Sequence, residues 1–167
     1  MTLRPGSWIM LALVLTGFSL SVFVESAVAK KPKVSVTING KGYKYKGRYV
    51  VASTSGNGTI ILATKPARPG KILRTIGVGC AYFVPNESFP LVANPQYCNA
   101  SLQEQRIGGS YAIKGWLAVS GVQVTYETFD GTWLTGTFSG VLDPLIGTGA
   151  EGQATVGGSF KVKLAAE

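Results

Sequence analysis

The chain has 167 residues, of which 46% are hydrophobic and 14% charged, with 22 glycines and no histidine. That length holds one domain and not two ordinary ones; the apolar content excludes a chain disordered by composition, and the missing imidazole excludes histidine triads and histidine metal sites. Sixteen Lys and Arg against eight Asp and Glu leave a formal charge of +8, which bears on partners and not on fold.

The first segment reads as an address. Arg4 supplies a positive start, Trp8 to Val24 is an almost unbroken apolar run, and Ala27-Val28-Ala29 stands just before Lys30. This is the layout of a cleaved secretory signal. The run is close to the short limit for a spanning helix. A signal peptide over 1–29 and one domain over 30–167 are therefore expected, with the mature chain periplasmic or secreted and without a transmembrane span.

After the signal the apolar spacing alternates, as half-buried strands require. Val34, Val36 and Ile38 alternate with Ser35 and Thr37, and Asn39-Gly40 then turns the chain. Tyr43 and Tyr45 alternate with Lys44 and Lys46. Thr59 to Ala63 follows the turn-rich Ser55-Gly56-Asn57-Gly58. Ile72 to Val84 is long enough for a strand bent at Gly77 or Gly79. Ser110 to Val119, then Val122 to Tyr126, Trp133 to Val141 and Ala154 to Leu164 complete the set. About eight short strands and no defensible helix predict an all-β fold, a single antiparallel β-sandwich or small barrel. An outer-membrane barrel is the rival architecture.

Cys80 and Cys98 are the only cysteines. In an oxidising compartment they are expected to pair and close a proline-rich loop over 80–98. Their spacing is not C-x-x-C, and no further ligands complete a metal shell; no cofactor is expected.

One hairpin allows a register to be predicted. A two-residue turn at Asp130-Gly131 would set Tyr126 across from Thr135, an apolar side chain beside a polar one. A three-residue loop over Phe129-Asp130-Gly131 instead pairs Thr128 with Thr132, Tyr126 with Leu134 and Val122 with Phe138, with Gly131 left-handed. Because a slip of one residue flips every side chain, burial favours the second register.

Several of these segments also carry a resemblance. Val36-Thr37-Ile38-Asn39-Gly40, Ser120 to Tyr126 with Asp130, Leu134 to Gly140, and Gly157-Gly158-Ser159-Phe160 together resemble a family of small exported bacterial β proteins, often lipoproteins, of unknown function. The resemblance implies export and a β fold and no activity. The chain departs from the family in lacking a lipid-anchor cysteine and in carrying the Cys80–Cys98 insert.

Catalytic chemistry finds few carriers. Glu127 and Asp143 are the carboxylates that could converge as a glycosidase pair, giving the alternative reading of a carboxylate-dependent envelope hydrolase acting on glycans. Asp130 is accounted for by turn chemistry. The glycine-rich stretch 147–152 lacks the Gly-Lys-Ser/Thr of a phosphate loop and reads as a long hairpin connection. Three Asn-x-Ser/Thr sequons begin at Asn57, Asn86 and Asn99 and matter only where the host glycosylates.

The cations are more informative. Residues 30 to 74 contain 11 basic residues and no acidic one. Lys41, Lys44, Lys46, Arg48, Lys65, Arg68, Lys71 and Arg74 are the candidate patch for a polyanion such as lipopolysaccharide, an acidic glycan or extracellular nucleic acid. Their competing role is protection of an edge strand against sheet-to-sheet pairing. Interleaved tyrosine and lysine put rings and charges on opposite faces, which weakens a single-strand stacking surface. The expectation is a binding or structural domain without catalytic activity, its partner an acidic envelope polymer or another envelope protein.

Overall fold

The computed structural model describes residues 30–55, 58–65, 69–83, 88–108 and 113–165. The signal segment therefore lies outside the described residues, as do Arg68, Asn57 and Asn86.

The chain is all-β, with eleven strands among the described residues. Sheet I runs in the order β2 (Lys41–Lys46), β1 (Lys33–Ile38), β11 (Ala154–Ala165), β10 (Trp133–Pro144), β9 (Gln123–Phe129) and β6 (Leu91–Val92). Sheet II runs β3 (Val50–Ser55), β4 (Gly58–Lys65), β5 (Ile72–Cys80), β7 (Cys98–Arg106) and β8 (Ile113–Ala118). The two twelve-residue strands, β10 and β11, leave sheet I at opposite ends of their shared ladder. Asp143 and Pro144 join β8, and Leu164 and Ala165 run parallel to Ala52 and Ser53 of β3. Strands that change sheets in this way close a sandwich at its corners.

Period-two patterning builds the core. Val34, Val36 and Ile38 of β1 face inward with Val124 and Tyr126 of β9, Leu134 and Phe138 of β10, and Val156, Phe160 and Val162 of β11. Ile61, Ala63, Ile76, Val78 and Leu102 oppose them from sheet II. Asn39 (φ 47°) and Gly40 (φ 79°) turn β1 into β2, with Ile38 across from Lys41; both positive φ values belong to the two-residue hairpin the sequence predicts.

Three strands exceed the sequence expectation. Val50–Ser55, Leu91–Val92 and Cys98–Arg106 lack clean alternation over a useful length, and tertiary pairing makes them strands. The pairing of β5 with β4 and β7 is continuous through Gly77 and Gly79.

The β9–β10 register corrects the expected three-residue loop. Phe129 pairs with Leu134 and Thr128 with Thr135; past a bulge at Glu127, Tyr126 pairs with Gly136 and Val124 with Phe138. Tyr126 thus faces neither Leu134 nor Thr135. The burial argument gave the correct parity, since Val124, Tyr126, Leu134 and Phe138 all point inward. The turn is longer because Asp130 Oδ1 accepts from the backbone N–H groups of both Thr132 (3.1 Å) and Trp133 (2.7 Å). The bulge then restores the apolar match that the longer turn would lose. Gly131 is left-handed, φ 85°.

Cys80 and Cys98 are disulfide-bonded and directly opposite in the β5–β7 ladder. The loop they close is not wholly irregular, since it contains β6 and a 3₁₀ turn over Pro95–Tyr97. Phe83 enters from this loop and packs against Phe89, Tyr126 and Phe129, with centroids 4.9–6.5 Å apart. That cluster fills one end of the sandwich. The opposite end is lined by ionic side chains.

Candidate functional site: two basic surfaces

The register divides the expected patch between two surfaces. Residues directly across an antiparallel ladder share a face. In sheet I the outward row begins with Lys46 of β2, continues through Lys33 of β1 and Lys161 of β11, and reaches Thr135 of β10. Beside it runs Lys44–Ser35–Ser159–Thr137–Thr125, and beyond that Gly42–Thr37–Gly157–Ser139–Gln123. The outer face of sheet I is therefore a lysine end grading into a field of hydroxyls. Lys163 and the half-buried Trp133, directly paired, extend the lysine end. Gly42 puts no side chain on the face, and a shallow depression of about 540 Å³ opens there among Ser35, Lys44, Thr137 and Ser159.

Tyr43 and Tyr45 point the other way, Tyr45 into the core. The segregation of rings from charges is as the alternation predicts. Lys41 shares the parity of Tyr43 at the Asn39-Gly40 turn, away from the lysine row. Arg48 sits in the 3₁₀ turn Gly47–Tyr49, where its guanidinium lies 5.2 Å from the Tyr49 ring centroid and donates to the Tyr49 hydroxyl at 3.2 Å.

The second surface is the open end of the sandwich. Lys65, Arg74, Glu104 and Lys114 are consecutive neighbours across β4, β5, β7 and β8. Their parity is that of Ala63, Ile76, Leu102 and Trp116 in the adjacent inward row, so the core gives way to ions within one step. Arg74 Nε donates to Glu104 Oε1, the single ion pair among the described residues. The Arg74 guanidinium also lies 4.7 Å from the centroid of Tyr43, which reaches across from sheet I. Lys71, Arg74, Arg106 and Lys114 border an open basin of about 730 Å³ in which Glu104 is the one carboxylate. Lys65, Lys71 and Arg74 of the expected patch thus converge here, while Lys44 and Lys46 face outward on the other sheet.

Sequence reasoning missed Lys33, Lys161 and Lys163 on the first surface and Arg106 and Lys114 on the second. Lys33 lies within the basic segment; the others are distant in sequence, and only the strand register could have joined them. The suggested carboxylate pair does not converge. Glu127 lies at the bulge opposite Thr135 and Gly136, and Asp143 is seven to eight residues further along β10, about 25 Å at the rise of a strand. A glycosidase pair needs less than about 10 Å. Asp143 Oδ1 accepts instead from Gln153 Nε2 at 2.9 Å. Among the described residues no group of three or more Cys, Asp or Glu could hold a metal ion, and no helix is long and apolar enough to cross a membrane.

Comparison with family models, with curated proteins and with solved structures found no match.

Proposed function

We propose that the chain is an exported, non-catalytic β domain of the bacterial cell envelope that binds an acidic glycan through the outer face of sheet I. The observation that carries this reading is the row Lys46–Lys33–Lys161. Like charges directly opposite one another destabilise a sheet. Edge protection accounts for Lys44 and Lys46 on β2 but not for Lys33 and Lys161, whose strands are paired on both sides. An anionic polymer would relieve that repulsion. The neighbouring Ser and Thr hydroxyls suit a polyhydroxylated polymer, and Trp133 offers a ring beside Lys163. Nucleic acid fits this face less well, because Tyr43 and Tyr45 are turned away from its lysines and cannot stack bases beside them. Export rests on the signal-like segment and agrees with the paired cysteines.

The test is retention on heparin as a function of salt. Wild-type retention should fall steeply as salt rises, and Lys33→Gln/Lys161→Gln should flatten the logarithmic slope by about one per lysine removed. Equal retention of wild type and variant would overturn the assignment.

A further inference from the structure

The open end of the sandwich has features that a solvated rim does not require. Four cations border the basin, and its single carboxylate, Glu104, is already engaged by Arg74. Arg106 and Lys114 have no ion-pair partner among the described residues. Lys65 and Arg74 stand directly opposite one another, a like-charge pair that costs the sheet stability.

Arg74 is also held in place. Glu104 takes its Nε, and Tyr43 lies under its guanidinium plane. Its terminal nitrogens have no other hydrogen-bond partner among the described residues. A guanidinium fixed on one edge and one face loses little freedom when the remaining edge takes a ligand. The volume lies in the range of pockets for small ligands, about 300–1,000 Å³. A concave site with one held guanidinium and three further cations around it favours a compact dianion over a single carboxylate.

We infer that this basin is a second binding site, distinct from the outer face of sheet I, which takes a phosphate monoester through Arg74, Arg106 and Lys114. Glu104 acts as a positioning residue, holding Arg74 open toward the ligand. The site does not depend on the glycan reading and can stand if that reading fails.

The experiment is a titration of the purified protein with inorganic phosphate and with sulfate, followed by amide chemical shifts, with chloride holding ionic strength constant. Saturable shifts are expected at residues 70–74, 104–106 and 114. Arg106→Gln/Lys114→Gln should weaken binding at least about tenfold with an unchanged amide spectrum elsewhere. Lys33→Gln/Lys161→Gln should bind both anions as wild type does, which separates this site from the polymer face. Phosphate that binds at about pH 7.5 and weakens near pH 5, where it becomes a monoanion, assigns a phosphomonoester. Sulfate that binds as tightly as phosphate and equally at both values shows a site for free inorganic dianions and overturns the monoester. Absence of saturation with either anion, or saturation undiminished in Arg106→Gln/Lys114→Gln, overturns the site.

Discussion

The hydroxyls of Thr59 and Tyr126 meet in the core and hydrogen-bond sheet II to sheet I. Apart from tyrosines, Thr59 is the one polar side chain buried among the described residues, and this bond is its satisfaction. Removing either partner strands the other in a place water does not reach. Thr59→Val and Tyr126→Phe should each cost about 1–3 kcal/mol. The double variant should cost clearly less than the sum, because no unpaired hydroxyl remains. Urea denaturation of the four proteins measures this; strict additivity would show that the bond contributes nothing specific.

The same tyrosine sets an alkaline limit. Burial pushes the Tyr126 phenol above its ordinary value, with the Thr59 bond opposing, and burial also raises Tyr45. Below about pH 10 both phenols are protonated, folded or unfolded. Above it the unfolded chain releases protons that the folded chain retains, so stability falls as pH rises. The loss of stability between about pH 9 and 11 should be shallower in Tyr126→Phe than in wild type. It is the slopes that must be compared, because the variant starts lower.

Gly136 should tolerate no side chain. A Cβ there would lie 2.3 Å from the Thr125 carbonyl oxygen and 2.5 Å from Cζ of Phe160. The bulge at Glu127 brings that carbonyl in, and the Phe160 ring occupies the space above. Gly136→Ala is expected to destabilise by about 1–3 kcal/mol or more, measured by thermal or urea unfolding. Gly131→Ala, by contrast, meets nothing within 4 Å and is disfavoured only by its φ of 85°.

Alternation made the fold class legible because it is a local property. The Val34-Val36-Ile38 strand, the Asn39-Gly40 turn and the cysteine pair all follow from residues close in sequence or unique in type. Cys98–Arg106 hid because its later positions are polar; its inward row ends in Glu104 and Arg106 at the mouth. The Tyr126 register was legible in parity but not in offset, since a side-chain cap at Asp130 and a compensating bulge at Glu127 cancel one another in the burial pattern. The basic surfaces were least legible. Lys161 joins Lys33, and Lys114 joins Arg74 through Glu104, only once strands far apart in the chain are laid side by side.

Reduction should weaken the fold without reordering its core. Cys80 and Cys98 are 18 residues apart, and closing a loop of that size is worth about 3 kcal/mol in the chain-entropy model. Cys80→Ala/Cys98→Ala should lower the urea midpoint accordingly while the Thr59–Tyr126 coupling persists. Loss of that coupling would show that the disulfide sets the position of the loop bearing Phe83, and with it the packing around Tyr126.

The β2 lysines allow edge protection and binding to be told apart. Among the described residues β2 pairs only with β1, so its other edge offers unpaired backbone groups to a second chain. Lys44 and Lys46 stand on that edge and also on the glycan face. Lys33 and Lys161 stand on the face alone. Lys44→Gln/Lys46→Gln should therefore lose retention on heparin and also gain light scattering at high protein concentration. Lys33→Gln/Lys161→Gln should lose comparable retention and scatter no more than wild type. Both variants should unfold within about 0.5 kcal/mol of wild type, because the substituted groups are at the surface. If the edge variant aggregates while the inner variant keeps full retention, the lysines guard the strand and the glycan reading falls.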